Sequence, residues 1–322
     1  MLQQQLTGDS LAVANAIDKQ QSQLLARANV QGVGIGHKIK GGVDTGTLSL
    51  TVFVSHKVDP GLLSDGDKIP KQVDKIPTDV IETGMIFAGG TPQAITPEEL
   101  GVQTLATRVR PVEGGYSVGH FKITAGTMAT AVFDATPYPA IPRAYYMLSN
   151  NHVLANSNDA RLGDAILQPG PHDGGTFPND VVARLARFVP IRFDGSCNFV
   201  DAAIAEGPFH WLDREIYWIG YVQGVATVDV DQIVQKTGRT TNYTTGRVIA
   251  INATVNVNYG GGKVATMCRQ LVTTNMSAGG DSGSLLCDMN RNAVGLLFAG
   301  SSAVTIHNDI RFVQALLGIR LV

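Results

Sequence analysis

Three short strings hold side chains capable of nucleophilic chemistry. The first is Gly279-Gly280-Asp281-Ser282-Gly283-Ser284, a serine between glycines, followed by Leu285 and Leu286. A serine hydroxyl is a poor nucleophile until a base removes its proton, and an oxyanion forming on the attacked carbonyl needs fixed donors. Glycines there let successive N–H groups point at one spot. Taken alone, GDSG also reads as a turn with a capping serine. The second string, Leu148-Ser149-Asn150-Asn151-His152-Val153-Leu154, runs an apolar strand into a histidine beside small polar residues. The third, Asn198-Phe199-Val200-Asp201-Ala202-Ala203-Ile204, sets an aspartate among apolar strand residues. Burying that carboxylate is costly without a hydrogen-bonded partner. A histidine donating its second ring proton satisfies it, and the aspartate in return fixes the tautomer and stabilises the imidazolium formed during a reaction.

These side chains must be carried by a β-rich body. The chain has 322 residues, enough for about two domains, or one β-rich body plus a smaller unit. Hydrophobic residues make up 44% and charged residues only 16%, which rules out a disordered or acidic-tail protein. With 36 glycines and 14 prolines, many short strands and tight turns are expected. Leu11, Ala14, Ile17, Leu24, Leu25 and Ala28 recur near the helical period, predicting an N-terminal helix capped by Asp9 or Ser10. Two strands around a glycine turn follow, then a Pro/Asp/Lys-rich stretch and the apolar TDVIETG, so residues 1–100 read as a small α/β unit. From residue 101 onward, short apolar runs alternate with Gly, Pro, Asn and Asp, which suits barrels or a sandwich. Near the C-terminus Asn308 or Asp309 can cap a helix over about 308–318 bearing Ile310, Val313, Leu316 and Leu317, stopped by Gly318.

The charge balance, Lys+Arg 25 against Asp+Glu 27 with no basic run, argues against nucleic acid or an anionic membrane surface as partner. No apolar run of spanning length and no secretory leader pattern is present, so the expected address is cytoplasmic. Cys197, Cys268 and Cys287 are odd in number and lack metal-ligand spacing, so they are expected to be small buried apolar residues rather than a disulfide framework. The remaining histidines form no H-x-H or HExxH pair, so neither a metal nor any other cofactor is expected.

Read in chain order as His152, Asp201 and Ser282, the three strings resemble those of trypsin/chymotrypsin-type serine peptidases. LSNNHVL is similar to that family's strand-to-histidine motif, VDAAIA to its buried aspartate and GGDSGS to its nucleophile loop. Two further strings fit: Lys236 to Gly246, similar to the stretch opening the second barrel of bacterial members, and Val294 to Gly300, similar to the strand lining the primary specificity pocket. The resemblance implies a mostly β fold of two six-stranded antiparallel barrels, over about 101–205 and 206–306, with the C-terminal helix and the N-terminal unit attached. It implies Ser282 as nucleophile, His152 as general base then acid, Asp201 as the orienting carboxylate, and the N–H groups of Gly280 and Ser282 as the oxyanion hole. GVGIGHKIKGG, IPTDVIETG and the PGPHDGG loop resemble a narrower intracellular group that includes the plant narrow-leaf serine protease, implying a homo-oligomer, trimer or hexamer.

In secreted relatives a freed N-terminus pairs with the aspartate before the nucleophile. About a hundred residues precede the barrels here, so Asp281 must find another partner or face solvent, and activation by trimming is not expected. Upstream of Ser282, where an acidic residue would select Arg or Lys in a substrate, stands Met276. An apolar floor leaves a cation unpaired, so with Ser277, Phe298 and Gly300 at matching positions a small or medium apolar P1 residue is expected in a protein or peptide substrate. The rival of another class is a non-catalytic scaffold or peptide-binding module on the same fold. Gly8-Asp9-Ser10-Leu11 follows no apolar strand and reads as a helix cap. Gly32, Gly34 and Gly36 have the wrong third spacing for a dinucleotide loop and read as close packing within a strand.

Overall fold

Two closed antiparallel barrels account for the pattern of short apolar runs. The computed structural model of the chain describes residues 6–89, 104–136, 142 and 144–321. In the first barrel Ala131–Asp134, Tyr145–Ser149, Ala203–Glu206, Val181–Phe188, Ala165–Leu167 and Ser117–His120 are neighbours in that order. Gly126–Thr127 pairs with the last of these and leads along the chain into the first, so the sheet closes with six strands. The second barrel runs Val264–Thr274, Val304–Asp309, Asn292–Gly300, Leu285–Asp288, Ile233–Gly238 and Asn242–Asn258, and the last strand pairs back onto the first. Strand sides alternate, and both are buried. Met147 joins the interior of the first barrel with Val118, Ile166 and Leu185, whereas Tyr146 and Leu148 face a layer shared with Leu285, Leu296 and the C-terminal helix. That helix, Ile310–Leu317, starts at an Asp309 cap whose side chain accepts from Arg311 N–H and ends at Gly318 in the left-handed region, as expected.

The N-terminal residues are built into the second barrel. Asn242–Asn258 outruns its barrel partner Ile233–Gly238, and the strand Val30–Lys40 takes the edge left over, pairing Gly32 with Val255 and Gly36 with Ala250. A Cβ on Gly32 would lie 2.7 Å from Thr254 O and one on Gly36 2.7 Å from Ile249 O, which is the close packing expected of these glycines. Val43–Val54 continues the sheet, and the helix Gly8–Leu25 covers it through Val13, Ala16, Ile17 and Leu24. These side chains share one core with Val234, Val248 and Leu286 of the second barrel. The helix cap falls at Thr7, not Asp9 or Ser10; Ser10 Oγ donates back to Thr7 O.

Two of the three cysteines depart from the unbridged, buried state expected. Cys197 and Cys268 form a disulfide, with Cα atoms 5.7 Å apart, and only Cys287 is free. The strand Cys197–Asn198 lies in parallel beside Val264–Thr274 and pairs Cys197 with Thr266, so the thiols meet through sheet register rather than sequence spacing. Cys287 is the small buried residue expected, and burial pushes its thiol up to about 12.

Candidate active site

Sheet register assembles the first half of the site. Ser149 pairs with Ala203. His152, on the short helix Asn151–Leu154 just after one strand, therefore emerges beside Asp201, just before the other. His152 Nδ1 lies 2.6 Å from Asp201 Oδ2, and His152 N–H donates to Asp201 Oδ1 at 3.1 Å. Asn150 Nδ2 ties the same corner by donating to Asp201 O at 2.7 Å. Asp201 is wholly buried, as its apolar surroundings predict. An ionised carboxylate only accepts, so Nδ1 carries the proton and Nε2 bears the lone pair. Among the described residues that buried Nε2 has no hydrogen-bond partner.

Tyr259, absent from the residues expected at the site, completes the carboxylate. Its hydroxyl donates to Asp201 Oδ2 at 2.8 Å, and its ring stands edge-on to the His152 imidazole at 6.2 Å between centroids. Burial, reinforced by the Asp201 charge, holds the phenol well above its ordinary value, so it remains a donor. Its signal was faint: one aromatic at the tip of a glycine-rich hairpin, followed by Gly260, Gly261 and Gly262. A Tyr259→Phe chain keeps the ring and loses one hydrogen bond to a charge, worth about 1.5 kcal/mol. Expected is a roughly tenfold fall in turnover with unchanged substrate binding, read from kcat and KM separately.

The loop bearing Ser282 is fastened to the first barrel: Thr127 N–H donates to Ser282 O at 2.7 Å and Thr127 Oγ1 to Gly280 O at 2.8 Å. Gly280 takes a φ of +98°, which a side chain resists, and a Cβ there would press on Thr240 Oγ1. Among the described residues the N–H groups of Gly280 and Ser282 donate to no acceptor. Ser282 is almost buried, and its Oγ lies 3.4 Å from Phe298 O, a long contact, rather than on His152 Nε2. The structure thus joins histidine to aspartate and leaves the serine hydroxyl pointing at a strand carbonyl.

Asp281 has the partner it needed. Lys236 Nζ lies 3.0 Å from Asp281 Oδ2, both side chains fully buried. Thr241 Oγ1 donates to Oδ2 at 2.6 Å, Thr240 N–H to Oδ1 at 2.8 Å and Ala278 N–H to Oδ2 at 3.0 Å. Burial alone would push this carboxyl up; Lys236 and these donors together hold it below its ordinary value.

The four residues expected to line a specificity pocket divide. Met276 and Phe298 are core side chains, the former packed against Gly246 among Val234 and Val248, the latter wholly buried among Phe53, Val272 and Ile306. Met276 therefore does not supply the apolar floor expected: its place before Ser282 is as anticipated, but its side chain faces the core. Ser277 and Gly300 do lie together, with Ser277 Oγ 2.8 Å from Thr305 Oγ1 and 3.5 Å from where a Gly300 Cβ would stand. Behind them His307 is buried, with Nε2 3.0 Å from Thr273 Oγ1. Burial, with the Lys236 charge, takes it down to about 3, so it is neutral at ordinary pH.

No family model matches the chain. Over 87 residues it is 44% identical to glutamyl endopeptidase 2 of Streptomyces griseus, covering 27% of this chain and 38% of that protein. Over 199 residues it is 28% identical to serine protease 1 of Streptomyces fradiae, covering 62% of this chain and 45% of that protein. The chain thus spans less than half the length of these relatives, and its sequence similarity is to serine proteases of the trypsin/chymotrypsin type. Among solved structures, protease A of Thermobifida fusca matches 65% of this chain and 97% of its own at 15% identity and a TM-score of 0.46. The chymotrypsin of Cellulomonas bogoriensis matches 66% and 98% at 18% identity and a TM-score of 0.44.

Proposed function

We propose that the chain is a serine endopeptidase that hydrolyses peptide bonds through an acyl-enzyme, with Ser282 as nucleophile, His152 as base and then acid, and Asp201 as its orienting carboxylate. The observation that carries this reading is the buried, unpartnered Nε2 of a histidine whose Nδ1–H is held by Asp201, the tautomer a general base requires. The free N–H groups of Gly280 and Ser282 are suited to the oxyanion, each worth on the order of 3 kcal/mol to the transition state. The step still needed is a turn of the Ser282 hydroxyl from Phe298 O to Nε2; catalytic hydrogen bonds often tighten only with substrate in place. The same hydroxyl position favours the second reading, an inert peptide-binding module. A fluorophosphonate probe separates the two: Ser282 should be labelled and Ser282→Ala should not, whereas an inert module leaves both chains blank.

The P1 residue belongs to this proposal. A small or medium side chain is what the sequence reading of Ser277 and Gly300 favours, while the similarity to the S. griseus glutamyl endopeptidase raises an acidic one. The Cys197–Cys268 bridge supports an oxidising compartment over the cytoplasmic address and over the narrower intracellular group expected from sequence. The homo-oligomer is likewise a family expectation; His152, Asp201 and Ser282 come from one chain, so the site calls for no second copy.

A further inference from the structure

Two carbonyls in the loop bearing Ser282 are each held by a threonine hydroxyl. Thr240 Oγ1 donates to Gly279 O at 2.6 Å, and Thr127 Oγ1 to Gly280 O at 2.8 Å. A hydroxyl has one proton, and the donors that occupy its lone pairs decide where that proton points. One residue supplies both donors: Arg239 Nη1 donates to Thr240 Oγ1 and Arg239 N–H to Thr127 Oγ1, each at 3.0 Å. Arg239 is fixed in turn by Asp173, which accepts from Nε at 2.7 Å and from Nη2 through its other oxygen. Ser117 Oγ donates to the same carboxylate at 2.5 Å. The side chains of Arg239 and Asp173 are only 12% and 4% exposed, so water competes little with this two-pronged pair. Asp173 lies in the PGPHDGG loop of the first barrel, to which the proposed reaction gives no task, and Arg239 follows the strand Ile233–Gly238 of the second.

We propose that Arg239, held by Asp173, is a positioning residue for the oxyanion site: acting through the Thr240 hydroxyl, it sets the Gly279–Gly280 peptide so that Gly280 N–H faces the attacked carbonyl. This rests on the catalytic reading above. A trans peptide is planar, and its C=O and N–H point in opposite directions. With Gly279 O turned to Thr240, Gly280 N–H points the other way, where among the described residues it meets no acceptor. Gly280 itself does not hold this orientation, because a glycine rotates freely through either sign of φ. Arg239 and Thr240 pack directly on it: a Cβ there would stand 3.2 Å from Arg239 Cδ and 2.5 Å from Thr240 Oγ1. The Thr127 contact uses the backbone N–H of Arg239, which a substitution keeps, so the side chain acts through Thr240. Without the guanidinium the Thr240 hydroxyl loses its orienting donor, the peptide is free to turn over, and the oxyanion loses the Gly280 donor. Lysine does not replace arginine here, because its single ammonium cannot present a fork to Asp173 and a further N–H to Thr240.

The test is the rate of fluorophosphonate labelling of Ser282 in the full chain, since the phosphoryl oxygen of the probe takes the place of the oxyanion. The limiting rate and the probe concentration giving half of it are read separately, beside denaturant midpoints. Arg239→Met leaves Asp173 buried without its partner, so it should lose stability as well as rate. Adding Asp173→Asn removes the stranded charge: stability should recover while the limiting rate stays roughly a hundredfold below wild type, at an unchanged half-saturating concentration. Thr240→Val should lose the same factor, and Thr240→Val with Arg239→Met no more than either alone, because both act on one peptide. A rate that recovers together with stability shows a merely structural pair and overturns this inference. Losses that multiply in the Thr240→Val, Arg239→Met chain refute the path through Thr240. Labelling of the Arg239→Met, Asp173→Asn chain at the wild-type rate also overturns it, and leaves the catalytic reading standing. Absence of labelling in wild type sinks the catalytic reading, and this inference with it.

Discussion

Lys236→Met is expected to unfold the protein more readily by about 3–5 kcal/mol, the usual cost of leaving a buried charge without its partner. Asp281 has no exposure, and its remaining donors, Thr240, Thr241 and Ala278, belong to the loops around Ser282. Without the ammonium these loops must move to let water in, so fluorophosphonate labelling of Ser282 should fall with stability. Replacing both partners, Lys236→Met with Asp281→Asn, removes the stranded charge and should recover most of the loss. Denaturant midpoints of the three chains measure this, and a Lys236→Met chain as stable as wild type would show that the pair supports nothing. The pH dependence has a definite sign. Asp281 is held below its ordinary 3.8, so its contribution is fully present above that value and is lost as pH falls through the lower folded one. Wild type should therefore weaken in acid below about 4, while the double variant lacks this part of the loss.

Asp201→Asn should lower kcat about ten-thousand-fold while leaving the fold and KM nearly unchanged. Asparagine fits the same space and can keep an oxygen toward Tyr259 or the His152 N–H. Its amide nitrogen, however, donates to His152 Nδ1 and drives the ring proton to Nε2, where a base must have its lone pair. Labelling by fluorophosphonate should slow in parallel. Near-normal turnover in this variant would mean that the tautomer argument, and with it the role given to His152, is wrong.

What could be read from the sequence was local. LSNNHVL and NFVDAAIA announce an apolar strand and a polar residue at its end, and antiparallel pairing of those two strands brings His152 to Asp201 without further information. The terminal helix and its Asp309 and Gly318 caps were legible for the same reason. What was hidden depends on which face a side chain takes or on contacts between distant segments. Cys197 meets Cys268 across a separation of 71 residues through one parallel strand pair. Lys236 reaches Asp281 across 45, and Tyr259 reaches Asp201 across 58. Met276 occupies the anticipated place along the chain yet turns its side chain into the core behind Gly246. Residues 1–100, of which 1–5 and 90–100 lie outside the described residues, read as a separate unit because their periodicity is self-contained. Their glycines at 32 and 36 are what let a neighbouring backbone come close enough to join the sheets.

That shared ladder makes the N-terminal strands part of the barrel wall. Gly32 to Gly36 pair with Ala250 through Val255, and Val13, Ile17 and Leu24 lie in a common core. Stripping these strands away would bare the outer rim of Asn242–Asn258, a row of unsatisfied amides and carbonyls open to any strand that comes by.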